Sequence, residues 1–398
     1  MCLSIFQHIL SGSSMVYLTV RQSPAYHQIS LEELMFPTEN IKKPYVNYNV
    51  SNTKTYELKS VSQRTMDKVN VDALILRLCE FNASTKSLRD ANRRDLYTFY
   101  KIPKRSGGLR TISVPEPNLM EALRELKLIL ELDFGALYHT CAFAYVKQRS
   151  VVSALQRHQD NESHWFAKFD LHDFFGSTTL DFVMQQLEMV FPFSEVCKNR
   201  IGKAALREAI ELGFLDGGLP QGTPLSPTLT NIMMIPIDYK LAKAFREHDG
   251  TNLIYTRYAD DFIISAKHSF MWSNVQKTII DTLREFNAPF SLNKEKTRYG
   301  SNTGAGANWN LGLMLNAQNQ ITVGHKRKKM FKMSLVNYAR DVSNGIPWAL
   351  EDIQHVIGQY AYYKMVEGRP IDDIVESVKV KTGMDVIAKM KKSVGGAV

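Results

Sequence analysis

Three aspartates carry most of the chemistry legible in this 398-residue sequence. Asp260 and Asp261 adjoin in Tyr258-Ala259-Asp260-Asp261, between the β-rich run 251–257 and apolar Phe262-Ile263-Ile264. That bracket predicts a β-hairpin with two neighbouring carboxylates at its turn. Carboxylates held so close repel each other, and each ionised form needs a cation. Magnesium, a hard ion that prefers oxygen ligands and bridges to phosphates, is the natural candidate. For the pair alone, a solvated Asp-Asp turn is the ordinary reading. A third carboxylate changes the balance. Ninety residues upstream, the apolar strand Trp165-Phe166-Ala167-Lys168-Phe169 delivers Asp170 at its end, before His172-Asp173-Phe174-Phe175. Two-metal phosphoryl transfer needs carboxylates bridging ions about 3.5–4 Å apart, which clamp the attacking and leaving oxygens. A strand-end aspartate and a pair from an adjacent hairpin supply that clamp.

These residues resemble the palm of reverse transcriptases, with Asp170 in the first catalytic block and Tyr258–Asp261 in the second. Between them, Gly218-Leu219-Pro220-Gln221-Gly222-Thr223-Pro224-Leu225-Ser226-Pro227 is similar to the intervening block of bacterial members. Gly222 there lets backbone approach a nucleic acid closely, and Ser226-Pro227 reads as an N-cap and first-turn pair opening a helix. Leu292–Thr297 resembles the following palm block, Lys101–Ile112 the fingers hairpin, and Asn310-Leu311-Gly312-Leu313 a short strand at the palm–thumb border. Six blocks in the family's order argue against coincidence. The implied fold is an α+β right-hand polymerase: fingers, a palm with an antiparallel sheet, and a helical thumb. The implied activity is RNA-directed DNA polymerisation with two Mg2+ ions, Mn2+ being a possible substitute.

The elements that must position the aspartates follow from pattern. Residues 1–65 form an extension of unreadable role, read as irregular or partly helical. Fingers are expected over 66–163, with helical spacing at Leu74 and Leu78. A hairpin follows across Ser106-Gly107-Gly108, then an amphipathic helix presenting Leu119, Leu123, Leu126 and Leu130. The palm is expected over 164–315, with helices from Leu180 and Ser226, a hairpin over 253–265 and a helix over 272–286. The thumb, 316–398, reads as three helices. The first has Phe331, Leu335, Tyr338 and Val342 on one face and ends at Gly345 and Pro347.

A net charge of +9 suits a polyanionic partner. Much of it gathers in His325-Lys326-Arg327-Lys328-Lys329 and Lys332, with no acid before Asp341. No stretch approaches 18 uncharged apolar residues, so no membrane span or membrane partner is expected. The start lacks a secretory pattern, and Met15 is an alternative start. Four scattered cysteines, Cys2, Cys79, Cys141 and Cys197, fit reduced thiols in a cytoplasm better than zinc or disulfides.

The resemblance assigns further roles, each beside a plainer one. It adds the backbone carbonyl of Leu171 to the metal ligands Asp170, Asp260 and Asp261. Phe175, five residues after Asp170, would lie beneath the sugar and exclude a ribose 2′-hydroxyl; otherwise Phe174 and Phe175 are core aromatics. Gln221 and Gly222 border the incoming nucleotide and template base, or merely form a turn. Arg110 and Lys104 could hold the triphosphate, arginine by a planar fork and lysine as a point charge. Lys296 could give a proton to the pyrophosphate leaving group, or face solvent. Tyr258 and Arg149 are candidate nucleic-acid contacts, and Arg257 supports the hairpin or the primer backbone. Lys326, Arg327, Lys328, Lys329 and Lys332 would grasp template–primer phosphates, or form a solvated helix start.

The partners implied are an RNA template, a DNA product, deoxynucleoside triphosphates and possibly a cognate non-coding RNA; the oligomeric state is open. Leu219–Gly222 with Ser226-Pro227 resembles retron, abortive-infection and other defence-associated bacterial reverse transcriptases. Retron enzymes carry Val-Thr-Gly near the palm–thumb border, where this chain has Asn310-Leu311-Gly312, a departure that favours the non-retron defence branch. Untemplated or protein-primed DNA synthesis is the enzymatic alternative, and a silent nucleic-acid-binding scaffold the non-enzymatic one.

Overall fold

The computed structural model describes residues 17–21, 26–30, 70–103, 107–131, 138–247, 252–303 and 312–395. Near the start, strands β1 (Tyr17–Arg21) and β2 (Tyr26–Ser30) pair antiparallel, from Tyr17 opposite Ser30 to Arg21 opposite Tyr26, where an irregular or helical extension was expected. Helix α1 (Val71–Ser84) follows, capped by Asn70, whose side chain accepts from the Ala73 N–H. Strands β3 (Tyr97–Pro103) and β4 (Leu109–Pro115) form the expected hairpin, registered from Tyr97 opposite Pro115 to Pro103 opposite Leu109. Beyond Tyr97 every β3 residue is exposed, so the arm projects with little core beneath it. Helix α2 (Pro117–Glu131) buries Leu119, Leu123, Leu126 and Leu130, as its spacing predicts.

The central sheet has the strand order β6-β7-β5-β8, every neighbour antiparallel. Helix α3 (Val151–Asp160) leads into β5 (Trp165–Asp170). Helices α4 (Leu180–Leu187), α5 (Arg200–Glu211), α6 (Ser226–Met233) and α7 (Ile235–Arg246) then build the large core before the hairpin of β6 (Ile254–Tyr258) and β7 (Asp261–Ala266). Helix α8 (Trp272–Glu285) returns the chain to β8 (Arg298–Ser301). Side chains alternate faces along a strand. Ala167, Phe169, Phe262 and Ile264 accordingly join the large core, while Phe166 and Ile263 join a second core with Leu155 and the C-terminal helices. Asp170 and Asp261 share that second face.

Two short strands, β9 (Met314–Leu315) and β10 (Ile321–Thr322), pair before helices α9 (His325–Ser343), α10 (Leu350–Glu367), α11 (Arg369–Thr382) and α12 (Val386–Gly395). Four helices stand where three were expected; Val386, Ile387 and Met390 of the fourth are buried in the second core. Phe331, Leu335 and Tyr338 line the buried face of α9, and Val342 packs at its margin. Ser226 is the first helical residue of α6 rather than its cap. The capping contact comes from Thr223, whose hydroxyl accepts from the Ser226 N–H at 3.2 Å, and the Ser226 hydroxyl donates to the Pro220 carbonyl. No described helix is long and apolar enough to cross a membrane.

Candidate active site

Strand register creates the site. Asp170 at the end of β5 lies directly opposite Asp261, the first residue of β7. Facing side chains on antiparallel strands sit about 4.5–5.5 Å apart at Cβ, and like charges there repel. Asp260 occupies the two-residue turn between Tyr258 and Asp261. The Leu171 N–H donates to the Asp260 carbonyl at 3.0 Å, tying the first aspartate's strand to the turn carrying the second. Leu171 also bridges Leu292 through bonds that use the Asp170 carbonyl and the His172 N–H, not the Leu171 carbonyl.

The turn is strained and held from behind. Ala259 adopts φ +56°, a left-handed conformation costing a non-glycine residue about 1–2 kcal/mol. Arg257 Nη1 donates to the Ala259 carbonyl at 3.2 Å. The rest of this fully buried guanidinium grips Asp238 of α7, with Nε at 2.9 and 3.1 Å and Nη2 at 2.7 Å. Burial alone would depress the Arg257 pKa, but Asp238 holds it above its ordinary value. Arg257 thus supports the hairpin, and not a primer backbone. Asp238 also accepts from the Tyr255 hydroxyl at 2.9 Å.

The carboxylates are short of positive charge. Burial, then Asp261 and Asp170, push the Asp260 carboxyl up to about 6. Burial also raises Asp261, against the pull of Lys168, whose Nζ lies 2.6 Å from Asp261 Oδ2. Lys296 Nζ donates to both Asp170 oxygens at 2.9 and 3.0 Å. Burial would lower the Lys296 pKa, yet the bond to Asp170 leaves it raised. Among the described residues no three His, Cys, Asp or Glu side chains form a ready-made ion cage; here two ammonium groups hold Asp170 and Asp261. Hard oxygen donors with a surplus of buried negative charge nevertheless suit a divalent cation.

Other expected residues fall into three groups. The first group lies on β4, on β6 and in the segments after β5 and before α6. Phe174 is buried in the core, packed on Phe290, whereas Phe175 keeps part of its ring exposed. The Phe175 carbonyl accepts from the Leu219 N–H at 2.9 Å, and Gly218 sits against the Gly176 backbone where any side chain would collide. Gln221 is half-buried; its carbonyl accepts from the Ser113 N–H at 2.7 Å. Gly222, at φ +115°, makes a close approach to Ser113 and Ile112 of β4. Arg110 is exposed on the projecting arm, opposite Ile102, and Tyr258 is half-buried.

A second group is bound up within the protein. Arg149 Nη1 donates to the His139 and Ala142 carbonyls at 2.7 and 2.6 Å, so this guanidinium shapes its own loop in place of the expected template contact. Arg327 donates to the Gly312 carbonyl at 2.9 Å, and Lys328 pairs with Glu367 of α10 at 2.7 Å. Of the basic run, Lys326, Lys329 and Lys332 are exposed on α9. The third group, Lys104 with Asn310 and Leu311, lies outside the described residues.

Three residues near the site escaped the sequence reading. Lys168 and Asp238 are known by partners distant in sequence. Tyr145, at φ +60° and 52% exposed, ends the segment whose Ala142 bridges Arg257 and whose Ala144 carbonyl accepts from Asn231 of α6. Partial burial, then Asp260 and Tyr258, raise the Tyr145 hydroxyl's pKa, while Arg110 lowers it. Nothing in the sequence marks Tyr145 as the left-handed residue of this loop.

The family model described as reverse transcriptase (RNA-dependent DNA polymerase) matches residues 102–331, more than half the chain. Among curated relatives, the retron Ec73 reverse transcriptase of Escherichia coli is 28% identical over 276 residues, covering 67% of this chain and 82% of its own. The retron Ec83 reverse transcriptase of the same organism is 27% identical over 305 residues, covering 75% and 91%. Both support a retron-like bacterial enzyme. Among solved structures, an apo telomerase from Candida tropicalis, truncated from its C-terminal domain, aligns with 58% of this chain and 56% of its own at 15% identity, with a TM-score of 0.40; this chain therefore spans little more than half of that one.

Proposed function

Because the chain belongs to the reverse transcriptase (RNA-dependent DNA polymerase) family, we propose that Asp170, Asp260 and Asp261 hold two magnesium ions while it copies RNA into DNA. The observation that carries this reading is the register that sets Asp170 opposite Asp261, with Asp260 in the adjoining turn. Bound there, two divalent ions neutralise charge on the transferring phosphate and lower the pKa of the primer 3′-hydroxyl; manganese is the expected substitute.

The chain's own residues do the rest. The Leu171 carbonyl joins the ligands. Lys296, whose side chain is 52% exposed, swings from Asp170 toward the leaving pyrophosphate and donates a proton. Arg110 and Lys104 approach the triphosphate from the fingers arm. Phe175 packs beneath the deoxyribose, its backbone fixed by Leu219, and Gln221 and Gly222 border the nascent pair. Tyr258 lies against the primer end, and Lys326, Lys329 and Lys332 contact duplex phosphates. In this scheme residues 66–163 act as fingers, 164–315 as palm and 316–398 as thumb. The motif resemblance extends the reading to a role in antiphage defence, templated by a cognate non-coding RNA.

Primer extension on a generic RNA template with magnesium tests the assignment. Asp260→Asn keeps the shape but removes charge, and extension should fall by about a thousandfold, equivalent to ~4 kcal/mol of transition-state stabilisation. Undiminished extension by a folded Asp260→Asn protein would overturn the reading.

A further inference from the structure

We propose that Lys168 is a built-in counterion for Asp261 that sets how tightly the three-carboxylate site takes a divalent cation. The inference rests on the reading of Asp170, Asp260 and Asp261 as the metal carboxylates. Lys168 precedes Asp170 by two residues on β5, so both side chains leave the same face of the sheet. Its direct partners are Ile263 on β7 and the exposed Arg298 on β8; the first makes Asp261 its diagonal neighbour, within reach of a long side chain. The ammonium closes that gap at 2.6 Å, with the Lys168 and Asp261 side chains only 13% and 10% exposed.

The two lysines at the site differ in how they can leave. Lys296 grips Asp170 from a short 3-10 turn, Lys294–Lys296, with its arm 52% exposed. Its ammonium can swing out into water, and the Asp170 carboxylate it leaves, only 7% exposed, is neutralised in its place by the arriving cation. Lys168 has no such exit. Drawing it from Asp261 would strand a buried ammonium beside Phe166 and Ile263, both within the core. It therefore stays when a cation arrives. It keeps Asp261 Oδ2 and leaves Oδ1 for the ion. With Lys296 withdrawn, three carboxylates and Lys168 carry a formal charge of −2 rather than −3. Affinity is thereby held down to a level from which ions and pyrophosphate can leave between additions.

Mn2+ titration of the full chain, followed by the electron paramagnetic resonance of the free ion, tests this together with melting in the presence and absence of Mn2+. Lys168→Met should bind Mn2+ about tenfold more tightly, a gain of ~1.4 kcal/mol. It should melt lower than wild type without metal and recover most of that loss when Mn2+ is saturating. It should also need less Mg2+ for half-maximal primer extension. Lys168→Arg, which keeps the charge, should restore wild-type affinity, and Lys168→Gln replaces the Met variant where that protein is insoluble. Wild-type Mn2+ affinity in a folded Met or Gln variant, with the same melting loss with and without metal, would reduce Lys168 to a packing element. A separate outcome removes the underlying reading: an Asp170→Asn, Asp260→Asn double variant that still binds Mn2+ as wild type does.

Discussion

One hairpin carries two sets of buried charge, and they are treated in opposite ways. On β6, Arg257 is matched completely: both Asp238 oxygens, Asn231 and the Ala259 carbonyl take its donors, with neither member of the ion pair open to water. A few residues on, Asp260 and Asp261 stand with Asp170 in a cluster whose net charge the protein leaves unbalanced; burial, then these two neighbours, push the Asp260 carboxyl up to about 6. A buried pair satisfied from within fixes geometry. A buried cluster left in deficit is a binding site for whatever supplies the missing charge. The first set aims the turn that the second set uses.

Breaking the matched set should produce the largest effect. Asp238→Asn leaves Arg257 buried without a neutralising carboxylate, and urea denaturation should show a loss of about 3–5 kcal/mol. Adding Arg257→Met should recover much of it, since the apolar side chain removes the stranded charge. A double variant no more stable than Asp238→Asn would mean that the pair's value lies in shape alone.

Neutralising the deficient set should do the reverse, by a smaller amount. The folded Asp260 pKa of about 6 lies above its unfolded value, so its ionised form is penalised in the fold. Above about pH 6 that penalty is fully present, and it fades as acid protonates the group. Metal-free Asp260→Asn should therefore be more stable than wild type by about 3 kcal/mol at pH 7.5, with the advantage shrinking toward pH 4.5. Half-buried His139 and buried His158, lowered to about 4 and about 3, destabilise both proteins as pH falls below the ordinary imidazole range, and this cancels in the difference. A melting difference independent of pH would show that Asp260 is not carrying the excess charge.

The thumb extends the comparison at the smallest scale. Lys328 is matched by Glu367, while Lys329 and Lys332 are exposed. Replacing Lys329 and Lys332 with Gln should flatten the slope of log affinity against log salt by about 1.4–1.8, at about 0.7–0.9 per phosphate contact. Lys328→Gln should leave the slope alone and lower the melting temperature. Filter binding across a salt series separates the two, and an equal slope change from Lys328→Gln would erase the distinction.

What the sequence disclosed follows the same division. Asp170, Asp260 and Asp261 were legible because strand ends and turns are local patterns, and a turn holding two acids is an anomaly that asks for a cation. Leu119, Leu123, Leu126 and Leu130 were legible because helical periodicity is local too. Lys168 and Asp238 were not: their partners lie 93 and 19 residues away, and only sheet register and helix packing reveal them. Arg149, Arg327 and Lys328 misled for a related reason. A basic residue declares its charge in sequence but not its destination, and all three turn inward to carbonyls or to Glu367. The fourth C-terminal helix was hidden by its shortness and by Gly383 just before it.

The bond from the Ser113 N–H to the Gln221 carbonyl, with Gly222 pressed against the same stretch of β4, gives the fingers hairpin the mechanics of a cantilever. Its clamp is at Ser113, opposite Phe99, and its free arm runs four residues further, to Pro103 opposite Leu109, about 13 Å at the rise of a strand. Arg110 rides near the tip. Any load there, such as a triphosphate drawn inward, is delivered as torque at the clamp, where the first thing it can tilt is the Gln221 loop. The arm that carries Arg110 and the loop that carries Gln221 are thus one lever, and displacement at either end is felt at the other.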